Sequence, residues 1–175
     1  MTVSVLTALL LSAVAAQPGA HEHGRAELSV VVEGDTAQVQ LVGDLGSMVG
    51  FEREPETEAE HGAVKAAEAT LREAARVFAL GPDRAGCTLS GTAIEMPFAE
   101  HDHGNGDHHG EDGHAEHLDV TATYTLDCRA PERLRSVRID AFDAFPGIET
   151  VDIVVLSPQA QKGSTVRASD REFEF

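Results

Sequence analysis

AELSVVVEGDTAQVQLV, residues 26–42, is the stretch whose reading sets the fold. Ala26, Leu28, Val30 and Val32 alternate with polar neighbours, Val31 excepted, and Ala37, Val39 and Leu41 alternate again beyond Gly34-Asp35. A period of two on both sides of a Gly-Asp turn predicts a β-hairpin with one buried face. That face needs a covering layer, and the chain supplies a candidate downstream. Pro55 introduces a helix, Thr57 and Glu60 have capping-box spacing, and Val64, Ala67, Leu71, Ala74 and Phe78 follow at steps of 3, 4, 3 and 4. The pattern predicts one helix running to Leu80 and stopped by Gly81-Pro82.

Cys87 lies eleven residues before Phe98, and Cys128 lies eleven residues after His117. Facing each other across an antiparallel pair, they bring Leu89 opposite Leu126, Gly91 opposite Tyr124 and Ala93 opposite Ala122. Directly opposed cysteines are close enough to bond, so a disulfide is expected to close this second hairpin at its base. The apolar phase changes at Ile94, Met96 and Phe98, which places a bulge there. Residues 134–139, 150–156 and 171–175 can be strands, and Phe142, Phe145 and Ile148 around Pro146-Gly147 read as a packed corner. The fold class expected is α+β: an antiparallel sheet with one or two packed helices and a long, disordered, His-rich hairpin loop at residues 99–117.

Composition narrows the function. The 175 residues suffice for one domain, and 42% hydrophobic content can build its core. Thirty acids against thirteen bases give a net charge of −17. Such a field serves solubility, repels nucleic acid and anionic lipid, and attracts cations. Residues 3–16 are apolar apart from Ser4, Thr7 and Ser12 and are followed by small residues, which suits a signal peptide. They fall short of the roughly 20 residues needed to cross a bilayer. Cleavage is expected after Ala15 or Ala16, or after Ala20, although no basic residue precedes Arg25. The organisation is then a signal peptide at 1–20 and a single domain at 21–175, exported and without a membrane span.

Residues 101–117, HDHGNGDHHGEDGHAEH, carry the chemistry. His101, His103, His108, His109, His114 and His117 alternate with acids and glycines, and almost nothing apolar is available to bury. Neutral imidazole ligates Zn²⁺, Cu²⁺ and Ni²⁺, and a glycine-rich chain can wrap several overlapping sites. Fast, low-affinity collection follows, because each bound geometry costs chain entropy. A pH-responsive hinge is the competing reading of the same imidazoles. His21 and His23 form a second cluster. Cleavage after Ala20 would add the free α-amine, and the adjoining strand would preorganise the set. His61, near Glu58 and Glu60, and Glu52, after Gly50-Phe51, complete the candidate metal ligands.

His21-Glu22-His23-Gly24 before the first strand, Val49-Gly50-Phe51-Glu52 with Pro55, an alanine-rich helix, Cys87, the His/Asp insertion, residues 124–128, residues 142–146 and a segment from Gln161 follow in order. This order resembles the zinc-regulated periplasmic zinc-binding proteins (ZrgA-like) over nearly all of the expected mature chain. The resemblance implies a periplasmic α+β domain that binds zinc and assists its uptake, alongside an ABC-type importer or that importer's binding protein. The family often has histidine after Gly-Phe-Glu, where this chain has Arg53, which cannot ligate.

A zinc carrier or buffer is therefore the function expected, with zinc as the cargo. Copper or nickel binding or detoxification, and a secreted interaction domain with an incidental metal-binding loop, are the alternatives. An enzyme is not expected: no His-Glu-x-x-His pattern occurs, and both cysteines are engaged.

Overall fold

The computed structural model describes residues 23–99 and 118–175. Among them the elements run β1 (Arg25–Glu33), β2 (Thr36–Asp44), α1 (Leu45–Val49), α2 (Glu58–Arg72), β3 (Phe78–Gly81), β4 (Cys87–Glu95), β5 (Asp119–Cys128), β6 (Ser136–Ile139), α3 (Ala141–Ala144), β7 (Thr150–Leu156), β8 (Gln161–Arg167) and β9 (Glu172–Glu174). The expected leader at 1–20 and the His-rich loop lie outside the described residues, apart from Ala99.

The first hairpin forms as its alternation predicts. β1 and β2 pair from Ala26↔Gly43 to Glu33↔Thr36, leaving Gly34-Asp35 as the turn. Ala26, Leu28, Val30, Val32, Ala37, Val39 and Leu41 are all buried. β2 pairs antiparallel with β5, and β5 with β4, giving a six-stranded sheet in the order β4-β5-β2-β1-β7-β8. β3, β6 and β9 make a second, three-stranded sheet. One hydrophobic cluster joins the two sheets, α2 and the corner of Phe142, Phe145 and Ile148.

The sheet is mixed rather than antiparallel, because β1 and β7 run parallel from Arg25↔Thr150 to Val31↔Leu156. The packed corner after α3 turns the chain so that Glu149 N–H and Thr150 N–H both donate to the Gly24 carbonyl, at 2.7 and 2.9 Å. β7 then starts level with β1. Its Val151, Ile153 and Val155 complete the buried face.

The expected helix is shorter than its apolar spacing implies. Its start agrees: Thr57 Oγ1 accepts from Glu60 N–H, and the Glu60 carboxylate accepts from Thr57 N–H. Val64, Ala67 and Leu71 are buried, but α2 ends at Arg72, a 3₁₀ turn takes Ala74–Arg76, and Phe78 opens β3. Tyr124 supplies the cause. Its hydroxyl donates to the Leu71 carbonyl at 2.6 Å, in the position that Ala75 N–H would occupy in a continued helix. The Phe78 ring meets Tyr124 edge-on, with centroids 5.2 Å apart. Gly81-Pro82 thus ends a strand.

Cys87 and Cys128 are directly paired and disulfide-bonded, and Leu89 faces Leu126. The bulge falls earlier than the apolar phase suggests, between Leu89 and Gly91, so that Gly91 faces Thr125, Thr92 faces Tyr124 and Ala93 faces Thr123. Ser90 Oγ donates to the Thr125 carbonyl at 3.2 Å, and the one-residue shift turns Ile94 onto Ala122 and into the core. Residues 134 and 135 precede β6, after a 3₁₀ turn at Pro131–Arg133.

Burial pushes the Tyr124 phenol well above its usual pKa, so it remains a neutral donor at physiological pH. Replacing it as Tyr124→Phe keeps the ring and strands the Leu71 carbonyl. Urea unfolding is expected to show a loss of about 1–3 kcal/mol; an unchanged midpoint would mean that carbonyl needs no partner.

Candidate metal centre

β2 delivers Asp44 to the end of the sheet, where the chain turns into α1. Asp44 is the N-cap of α1, and its carboxylate accepts from Ser47 N–H at 2.7 Å and from Ser47 Oγ–H at 2.5 Å. Ser47 Oγ in turn accepts from Gly24 N–H at 2.9 Å, which fixes the residue after His23 against the same helix. Asp44 and Ser47 are 4% and 8% exposed and, apart from the Tyr124 hydroxyl, are the buried polar side chains among the described residues. In an interior otherwise largely apolar, the pair marks a place where polarity serves a purpose.

Glu52 reaches the same point from the far side of α1. Gly50 closes the helix in the left-handed region at φ 89°, reversing the chain so that Phe51 and Glu52 fold back. Gly46 leaves the room: a Cβ there would lie 2.8 Å from Glu52 Cγ and 3.1 Å from Asp44 Oδ1. His23 comes in at the start of β1, with Nδ1 3.2 Å from Glu52 Oε1 and 3.8 Å from Asp44 Oδ1. One ligand atom from each of the three lies within 4.8 Å of the others, and no other such group occurs among the described residues.

Tetrahedral zinc bonded at 2.0–2.2 Å holds its ligand atoms roughly 3.3 Å apart. The His23–Glu52 separation matches, and Asp44 needs to close by only a few tenths of an ångström on His23. An imidazole with two carboxylates suits a borderline divalent ion better than calcium or magnesium, which prefer oxygen shells of six or more. Among the described residues, His23 is the side chain seen in ion-pair contact with the two acids. The arginine next in sequence, Arg53, turns away: its guanidinium lies 5.6 Å from the Phe51 ring centroid, and Nη2 is 2.5 Å from Glu60 Oε1. Arg53 is thereby a strut that ties the Glu52 loop to the start of α2.

Of the residues singled out in the sequence, His23 and Glu52 are brought together. His61 is exposed on α2 and belongs to no group of three ligating side chains among the described residues. His21, His101, His103, His108, His109, His114 and His117 lie outside the described residues. The ends of the His-rich segment are nevertheless placed. Leu118 accepts from Leu45 N–H at 2.9 Å, Asp119 pairs with Asp44, and Glu95 pairs with Thr121. Both ends therefore open at the sheet end that carries the site. Asp44 was missed because it reads as an ordinary strand terminus; the spacing Asp44-x-x-Ser47 was the available signal.

Fold and site together define a small α+β domain with a candidate metal site. The family model described as ZrgA family zinc uptake protein matches residues 20–175, and the chain belongs to that family. Its role accordingly lies in zinc uptake. No curated protein matches the chain.

Removing the hydroxyl that aims Asp44, as in Ser47→Ala, is expected to weaken the tightest zinc site about 10- to 100-fold, with stoichiometry unchanged, in competition titrations with a chromophoric chelator. An unchanged affinity would separate Ser47 from the metal. The Arg53 strut has its own signature. The Arg53 guanidinium hydrogen bond holds the Glu60 carboxyl down at about 2 from an ordinary 4.5. The contact therefore stabilises the fold fully above pH 4.5 and is lost as pH falls towards 2. In acid-melting profiles Arg53→Ala should flatten that part of the curve; a profile identical to the parent would assign the acid sensitivity elsewhere.

Proposed function

We propose that this protein is a periplasmic zinc carrier that retains one ion at His23, Asp44 and Glu52 and collects further ions on its histidine-rich segment. The observation that carries the reading is the burial of Asp44 beside Glu52, with one imidazole within ion-pair distance of both. Membership of a zinc uptake family makes zinc the cargo that fits.

The two sets of ligands have different duties. Asp44 is fixed by Ser47 and Glu52 by its loop, so the three-residue site is largely organised before the ion arrives and binds more tightly than a free chain would. His101, His103, His108, His109, His114 and His117, with the acids between them, raise the local concentration of ions at the same end of the sheet. His21 supplies a fourth ligand beside His23 when the mature chain starts there. His61 stands apart and belongs, if anywhere, to the collecting set. His23 is 73% exposed at its side chain and Asp44 4%, so an incoming acceptor displaces the imidazole first. An importer or its binding protein is that acceptor.

Export agrees with the Cys87–Cys128 disulfide, which persists in oxidising compartments. No helix among the described residues is long and apolar enough to cross a membrane. Transport rather than catalysis is the duty of this site.

Equilibrium dialysis of the mature protein separates the two sets. Deleting residues 100–117 is expected to reduce capacity to a single tight zinc, and His23→Ala with Asp44→Asn in that background to abolish it. Retention of the tight zinc in the doubly substituted form would overturn the assignment, and preferential filling by copper or nickel from an equimolar mixture at limiting free metal would change the cargo.

A further inference from the structure

We infer that the opposite end of the sheet is a docking surface for an acidic protein segment that carries one apolar anchor side chain. A groove of about 370 Å³ opens there, walled by Phe78, Leu80, Ala85, Leu126, Leu134 and the bonded Cys87. Its volume suits a single leucine or phenylalanine side chain with part of its backbone, and its walls offer that side chain apolar contact.

The rim determines which segment fits. Arg76 follows the wall residue Ala75, Arg84 follows Asp83, and the Arg129 guanidinium lies over Gly86, so close that a Cβ there would be 2.8 Å from its Nε. All three arginines are exposed, and among the described residues none makes an ion pair or side-chain hydrogen bond, whereas Arg133 contacts Glu132 and Arg135 binds the Glu132 and Leu134 carbonyls. Residues 76–86 and 126–135 hold five arginines against Asp83, Asp127 and Glu132, an excess of positive charge in a chain of net −17. Unpaired arginines around an apolar hollow match carboxylates on either side of an anchor. A flat anionic bilayer would be repelled by the rest of the chain and could not fill the hollow. A second copy brings the same −17 with it.

β5 runs from Asp119, paired with Asp44, to Cys128 at the groove, nine steps or roughly 30 Å at about 3.3 Å per residue. A partner held at this end leaves the metal end open, so docking acts as a tether and does not depend on whether the other end holds zinc.

The test uses the full mature chain and a fluorescein-labelled peptide of Glu and Asp around one central Phe, read by anisotropy at low salt. Binding is expected to saturate, to weaken about tenfold or more in Arg84→Glu/Arg129→Glu, and to weaken likewise when Ala75→Trp fills the groove or when the peptide's Phe becomes Ala. Amide shifts should be confined to residues 74–87 and 126–135. The three substituted positions are exposed, circular dichroism confirms each fold, and the arginine pair alone suffices should the Trp variant misfold. Absence of saturable binding, indifference to the charge reversals, stronger capture by phosphatidylglycerol vesicles than by the peptide, or self-association of the free protein abolished by the same charge reversals would each overturn the inference. Zinc affinity should be unchanged throughout, so failure here leaves the metal site untouched.

Discussion

A carboxylate taken out of water must be given hydrogen bonds and a counter-charge, and Asp44 receives the first from Ser47, while among the described residues His23 is the side chain in ion-pair reach for the second. Much of the surrounding structure follows from that requirement. The β1–β2 hairpin brings Gly24 and Asp44 to one end of the sheet; α1 folds so that Ser47 can bond to both; Gly46 and Gly50 clear the path for Glu52. The parallel docking of β7 braces the same corner through the Gly24 carbonyl. One imidazole and two carboxylates are thereby brought together at one end of the sheet, the donor set on which the proposed zinc site rests.

This arrangement gives the sheet two chemically different ends. At one, His23, Asp44 and Glu52 converge, and the histidine-rich segment leaves and rejoins the sheet. At the other, the disulfide pins β4 to β5 beneath an apolar groove with arginines on its rim. Between them lies a largely apolar core whose described polar side-chain groups are those of Asp44, Ser47 and the Tyr124 hydroxyl. The candidate metal site and the groove thus share no side chain. Arg53, itself unable to ligate, braces the loop that carries Glu52 through its contacts with Glu60 and Phe51.

The sequence was most readable where local pattern and tertiary environment agreed. Alternation in residues 26–42 specified the first hairpin and its buried face, and the symmetric placement of Cys87 and Cys128 specified the disulfide. It misled where a distant group decided the outcome. The apolar spacing through Ala74 and Phe78 continues a helix that Tyr124, far along the chain, terminates. β8 carries one buried residue, Val166, in an otherwise exposed strand, too little periodicity to register. The parallel β1–β7 pairing leaves no mark in either strand, since both present the same alternation whichever direction their partner runs. At the site, His23 and Glu52 stood out as ligating residue types, while Asp44 became significant only once the turn into α1 buried it.

The proposed carrier role requires zinc to occupy the site built around Asp44. Zinc-edge X-ray absorption on the mature chain loaded with one equivalent of zinc addresses this most directly. The expected first shell contains one imidazole nitrogen and carboxylate oxygens at about 2.0–2.2 Å. A shell made wholly of imidazole would place the tightest ion on the histidine-rich segment and contradict the assignment.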